Sequence, residues 1–188
     1  MRGREKFNRY KKVISFLVIV FSILPYRIRV KIFDSLRMLS GKKGLLLRYI
    51  SLKSLAKDCG DNVSIHQNVY IFGLENLCLG DNVSIHPFCY IDATGTIEIG
   101  SDVSVAHATT IMSTEHKYED KSINIKDQGT KKIKTCIKSN VWIGSGCRIL
   151  AGSVINEGTI LAAGAVVKKQ VPKNSIYGGI PAKLIKER

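Results

Sequence analysis

"CIKSNVWIGSGCRILAGSVINEGTILAAGAVVKK" (136–169) places Ile137, Ile143, Ile149, Ile155, Leu161 and Val167 six residues apart without an exception. Helices repeat at 3.6 residues and strands at 2, so a strict six fits neither as one long element. It fits a chain that makes a short strand, turns a corner, and returns above its starting point after three such steps. The first residue of each hexad then points inward, and successive turns stack at about 4.8 Å, the spacing of parallel strands. Four places on stand Val141, Cys147, Ser153, Thr159, Ala165 and Val171, small or β-branched residues suited to tight corners.

The upstream half carries the same theme at a longer period. "CGDNVSIHQNVYIFGLENLC" (59–78), "LGDNVSIHPFCYIDATGTIE" (79–98) and "IGSDVSVAHATTIMSTEHKY" (99–118) are copies of twenty residues, each two hexads plus an octad. The inward positions there are Cys59, Ile65, Ile71, Leu79, Ile85, Ile91, Ile99, Val105 and Ile111. With the six above, all but Cys59 are Ile, Leu or Val, where fifteen arbitrary positions of this composition would hold only about four. The expected fold is mainly β, a parallel β-helix built from hexad repeats.

Length and charge bound what surrounds that coil. A chain of 188 residues holds one core. Its five cysteines show no metal spacing, and Cys59, Cys78, Cys89 and Cys147 fall where the repeat wants a small apolar residue, so they read as filler in a reducing compartment. Residues 1–58 hold 15 Lys and Arg against 3 Asp and Glu, whereas residues 59–188 hold 14 against 12. This basic arm contains "VISFLVIVFSIL" (13–24), which as a helix reaches about 18 Å against a hydrocarbon core of about 30 Å. "PYRIRV" follows it where a removed leader would need small residues, and Pro25 both ends this helix and opens a second. An apolar helix flanked by cations suits an anionic membrane surface, and it equally suits packing on the coil. From residue 59 onward the coil is expected to close its own core without the arm. No recognition motif accompanies the charge, which sets nucleic acid aside.

Between the two halves "HKYEDKSINIKDQGTKKIKTC" (116–136) breaks the register. A segment that leaves a regular coil and rejoins it in register is a loop out of one corner, and long loops on rigid scaffolds carry function. His116 stands at its root. The expected organisation is therefore an arm over 1–58 and a coil over 59–188, with a loop at 117–136 and a tail at 172–188.

The hexads, the looped-out histidine, "NVWIGSG" (140–146), "AAGAVVKK" (162–169) and "YGGIPAKLIKE" (177–187) together resemble the hexapeptide-repeat acyltransferases over about residues 59–188. Within that family the layout is most similar to sugar O-acetyltransferases of the galactoside and maltose type and to those of surface polysaccharide and O-antigen. The resemblance implies a left-handed coil, an exception to the usual right-handed crossover. It also implies a homotrimer with active sites between subunits, acetyl-CoA as acetyl donor, and no metal. The implied enzyme is cytoplasmic and its acceptor is a sugar or a lipid-linked oligosaccharide; of the two readings of the arm, the membrane-surface one would place it at the inner face of the cell membrane.

Residue by residue, His116 matches the family's catalytic base, imidazole being the side-chain type suited to proton transfer near neutral pH. His86 matches an acceptor-contacting asparagine of the galactoside enzymes. Asp92 is either a second acceptor contact or a corner cap, and His66 reads as a solvated neighbour one turn below His86. Trp142 matches a tryptophan that packs on the pantetheine arm, while Ser145 and Ala163 match positions lining the same groove. Lys168 and Lys169 match a pair near the donor, and Lys183 and Lys186 match basic residues near its phosphates. Lys in place of Arg keeps the charge but loses bidentate geometry. Amino-sugar N-acetylation is the alternative within the same fold. A γ-carbonic-anhydrase-like zinc site needs two histidines five residues apart, which His86, His107 and His116 do not supply. A purely structural β-helix leaves the coincidence of His116 with the donor positions without a reason.

Overall fold

The structure, a computed structural model, describes residues 3–188. Three helices precede the coil: α1 (Gly3–Ser22), α2 (Tyr26–Ser35), which Pro25 opens as expected, and α3 (Gly41–Lys53). The chain then winds. The first turn contributes β1 (Asp58–Cys59), β2 (Ser64–Ile65) and β3 (Tyr70–Phe72), one strand to each of three faces. The second contributes β4 (Leu77–Leu79), β5 (Ser84–Ile85) and β6 (Tyr90–Asp92), and the third β7 (Ile97–Ile99), β8 (Ser104–Val105) and β9 (Thr110–Met112). A hairpin, β10 (Thr114–His116) and β11 (Thr130–Lys132), projects there. The fourth turn follows with β12 (Thr135–Ile137), β13 (Trp142–Ile143) and β14 (Arg148–Ile149), and the fifth with β15 (Val154–Ile155), β16 (Ile160–Leu161) and β17 (Val166–Val167). Last come β18 (Gln170–Val171), β19 (Ser175–Gly178) and β20 (Lys183–Glu187), which folds back antiparallel on β19.

The three faces are parallel sheets in the orders β1-β4-β7-β12-β15-β18, β2-β5-β8-β13-β16-β19 and β3-β6-β9-β14-β17. They are called the first, second and third face below. Every inward position of the hexads is buried, from Cys59 through Ile85 and Ile143 to Val167. Two- and three-residue strands are marginal alone, but stacking aligns one aliphatic row per face into a continuous core. The corners demand left-handed backbone, and Asn62, Asn82, Asp102 and Asn140 take φ of 55 to 59° there. Asn and Asp tolerate this conformation best among residues with side chains. Their amides also rung together: Asn62 Nδ2 donates to Asn82 Oδ1 at 3.0 Å, and Asn82 Nδ2 to Asp102 Oδ1 at 3.1 Å.

Two expectations give way. The six-residue step ends at Val167: Val171 pairs with Ile155 on the first face and points inward, so the corner between them is shortened and leaves Lys168 and Lys169 exposed. The coil also does not close its own core. Tyr49, Ile50 and Leu52 of α3, with Leu55 after it, are buried in the same hydrophobic cluster as Ile65 and Leu77, so α3 lids the open first turn. Against α3 lies one side of α1, through Ile14, Phe7, Val18 and Phe21, with Phe7 edge-on to Tyr49 at 5.4 Å. Arg4 reaches Asp102 at 2.6 Å and Lys11 reaches Asp61 at 2.5 Å, tying α1 to the corner ladder.

Candidate functional site

His116 ends β10, opposite Thr130 of β11, and is exposed. The hairpin holding it leaves the edge between the third and first faces, and its root is anchored from below. Asp92, the last residue of β6, accepts from Thr114 Oγ1 at 2.5 Å and from the Thr94 amide at 3.0 Å. Burial pushes this carboxyl up, but the hydrogen bonds from Thr114 and Thr94 outweigh it and hold the group below its ordinary value. Of the two roles open to Asp92, the structure shows the tie: both oxygens are engaged in fixing the strand that carries His116. Ser113, fully buried, accepts from the Gly95 amide and donates to Asp92 O at 2.6 Å. A Cβ on Gly95 would stand 2.1 Å from Ser113 O, so only glycine allows this approach. Further out, Lys131 pairs with Glu115 at 2.8 Å and Glu119 at 3.3 Å, and Gln128 bridges Asp120 O and Ile123 O across the loop. The imidazole of His116 itself makes no hydrogen bond among the described residues.

The donor candidates fall in two groups. Trp142 stands outward and exposed on the second face, in register with Ser104 and Ile160, and the row continues through Ile176 to Lys186. Three strand spacings separate Trp142 from Lys186, about 14 Å. Ser145 and Ala163 occupy the neighbouring corner on successive turns, where the Gly164 amide donates to Ser145 O at 2.8 Å. A cavity of about 250 Å³ lined by Ser104, Asn140, Trp142, Ile160 and Arg188 opens beside this row. His86 sits at the same edge of the second face, stacked on His66 with ring centroids 4.6 Å apart and planes 10° apart. Lys168 and Lys169 instead stand at the edge from which the hairpin also springs, and Lys183 of β20 shares with them a cavity of about 340 Å³ lined also by Tyr177 and Pro181. In a three-sided coil that edge lies opposite the second face. One chain therefore puts His116, Lys168 and Lys169 on one side of its core and Trp142, Ser145, Ala163, Lys186 and His86 on the other, while Lys183, paired with Gly178 in the second-face sheet, borders both.

Two features were missed from sequence. Arg148 and the aromatic residues Tyr70, Phe72 and Tyr90 share the outer third face, signalled only by their place one residue before or after an inward position. Lys42 and Arg48 of α3 meet His66 at a cavity, and nothing in the repeat marks them.

Residues 137–169 match the model of the bacterial transferase hexapeptide family, six repeats. That stretch carries the repeats of the hexapeptide transferase family. Among its relatives is a putative lipopolysaccharide biosynthesis O-acetyl transferase of Escherichia coli K12, 37% identical over 51 residues, which are 27% of this chain and 26% of that protein. The solved maltose O-acetyltransferase of Clostridium difficile 630 superposes with a TM-score of 0.74 at 25% identity, covering 86% of this chain and 84% of that one. A galactoside acetyltransferase solved with coenzyme A gives 0.76 at 22% identity over 100% of this chain and 91% of its own, a likeness of fold. The matched stretch spans about a quarter of the length of the curated relatives. Around the repeats stand a helical lid over the first turn and histidines at two successive corners, His66 and His86. Among the described residues no group of three His, Cys, Asp or Glu could hold a metal ion.

Proposed function

We propose that this protein moves an acetyl group from acetyl-CoA to a sugar hydroxyl in the assembly of a surface polysaccharide or O-antigen. One observation carries the reading: a hairpin anchored at its root by Asp92, Thr114 and Ser113 holds out a histidine whose imidazole has no partner among the described residues. The neutral imidazole takes the proton of the acceptor hydroxyl as that oxygen attacks the thioester carbonyl. The C–S bond breaks, coenzyme A leaves as the thiolate, and the proton passes to it from His116. Backbone N–H groups near Ser145 stabilise the oxyanion. The similarity to a galactoside O-acetyltransferase, a maltose O-acetyltransferase and a putative lipopolysaccharide biosynthesis O-acetyl transferase supports the acyl group and the acceptor class.

Trp142 and His116 lie on opposite sides of one coil, so the complete site takes them from two copies. A homotrimer, with the second face of one copy against the hairpin edge of the next, supplies both and brings Lys168, Lys169 and Lys183 to the phosphates of a donor lying along Trp142. The arm adds a place of work. Val13, Phe16, Ile19, Val20 and Ile23 of the α1 segment remain exposed although its other side packs on α3, and Arg9, Lys12, Arg27 and Lys31 flank them. No described helix is long and apolar enough to cross a membrane. Such a patch suits the anionic inner face of the cell membrane, where a lipid-linked acceptor would be met.

The test is kinetic. His116→Ala should lower turnover by about 10²-fold or more, the range of general-base catalysis, with acetyl-CoA affinity unchanged. Trp142→Ala should weaken acetyl-CoA binding by about 1–3 kcal/mol. Near-normal turnover in the histidine variant removes the base from the mechanism.

A further inference from the structure

Arg48 of α3 is 2% exposed, a degree of burial that arginine seldom reaches without a carboxylate partner. Here its Nε donates to Ile65 O at 2.8 Å and one terminal nitrogen donates to Leu36 O and Leu39 O, both at 2.7 Å. These are carbonyls, which satisfy hydrogen bonds but leave the charge uncompensated. No carboxylate among the described residues pairs with it: Asp34 is bound to Arg37 and Asp61 to Lys11 and Lys53. Beside the guanidinium lies a cavity of about 330 Å³, lined by Gly41, Lys42, Leu45 and Arg48 from the lid and by His66, Gln67 and Pro87 from the first two turns. That volume is within the range of small-molecule sites. The cavity wall carries two cations and a histidine, and no acid.

The field is felt by its neighbours. Burial, then the nearby His86 and Arg48, lower the pKa of His66, which favours its neutral form. His66 stacks on His86, the candidate acceptor contact, so the cavity adjoins the edge where the acceptor would lie. A cavity that gathers positive charge and keeps it unneutralised is completed by an anion brought from outside.

We propose that this cavity receives an anionic group, a carboxylate or a phosphate, carried by the acceptor, with Lys42 and Arg48 as its counter-charges and His66 in its wall. The inference rests on the acyl-transfer reading for the word acceptor; the anion site itself stands on the cavity. It makes the acceptor an acidic or phosphorylated sugar in place of a neutral one.

Calorimetric titration of the full chain, with no acetyl-CoA present, tests it with three probes: methyl β-glucuronide, galactose 1-phosphate and neutral methyl β-galactoside. The wild type should bind at least one anionic probe on the order of tenfold more tightly than the neutral one, in a salt-dependent way. Preference for the glucuronide identifies a carboxylate seat and preference for the phosphate a phosphate seat, and either supports the proposal. Lys42→Ala should reduce that preference on the order of fivefold and Lys42→Glu should abolish it, both leaving the neutral probe unchanged. Lys42 is exposed, so these variants fold, whereas Arg48→Met removes the ties to Ile65, Leu36 and Leu39 and tests stability as well as charge. Equal affinity for charged and neutral probes, or a Lys42→Glu chain that keeps the preference, overturns the proposal. Because no donor is present, a failure of acetyl transfer leaves this result intact, and a chain that acetylates neutral sugars without any anionic preference removes the anion seat alone.

Discussion

Asp92 shows how one residue links the repeat to the chemistry. Its position in the hexad is an ordinary outward one, yet its two oxygens bind Thr114 and Thr94, and Thr114 lies two residues before His116. Removing the tie should loosen the hairpin without touching the donor groove. Asp92→Asn is expected to lower turnover by about tenfold while acetyl-CoA affinity holds, a split that a global loss of stability would not produce. The carboxyl titrates below its ordinary value in the folded chain, so its stabilisation is present above the unfolded pKa of about 3.9 and is lost as pH falls through the folded value. Urea unfolding should therefore show wild type ahead of Asp92→Asn by about 1 kcal/mol at pH 7. The gap should close as the pH drops below the ordinary carboxylate range; a constant gap would mean that the charge is not what holds Thr114.

Among the elements, α3 has the least obvious role in sequence and a large one in structure. Its hydrophobic residues show little one-sidedness along "GKKGLLLRYISLK", but Tyr49, Ile50 and Leu52 enter the core above the first turn. An open β-helix end exposes aliphatic rows and unpaired strand edges, both sources of aggregation, and solenoids need a terminal lid. A chain starting at residue 25 should lose only the packing of α1 and still melt cooperatively, at a lower temperature. A chain starting at residue 58 should lose the lid and aggregate. Circular dichroism melts and size-exclusion chromatography distinguish the two, and a 58–188 chain that melts like the full protein would show the lid to be dispensable.

On the scale of the whole molecule, the division of candidate site residues between opposite sides of the coil makes a site shared by copies testable directly. His116→Ala, slow in turnover, and Trp142→Ala, weak in acetyl-CoA binding, should complement when co-assembled and assayed at low acetyl-CoA, because some interfaces pair an intact histidine with an intact tryptophan. Random mixing in equal amounts gives intact sites at about a quarter of trimer interfaces. Activity no higher than the average of the two separate variants would place both residues in one chain's site. The arm is judged by co-sedimentation with anionic vesicles. Full-length protein should pellet at low salt and be partly released at high salt, since each Lys or Arg at such a surface contributes about 1 kcal/mol, screened over about 8 Å at physiological salt. A chain starting at residue 25 should stay in the supernatant. If full-length protein stays there too, the exposed side of α1 has another partner.

The period of six determined the coil by itself, because an aliphatic residue at every sixth position has no other way to share one core, and the same register marks where the hairpin leaves it and His116 begins. Cys59 broke the aliphatic pattern and was still buried, since the position requires a small apolar group and not a particular side chain. What the repeat could not carry was decided by contacts across turns and across the lid. Asp92 became a tie only because the winding places Thr114 above it. Val171 turned inward because its strand pairs with Ile155, not because of its distance from Val167. The lid on the first turn, and the cavity that collects Lys42, Arg48 and His66, depend on helices whose sequence has no hexad to align them. Local periodicity dictates which way a side chain faces within its own turn; which residues from distant turns it meets is a property of the stacked coil alone.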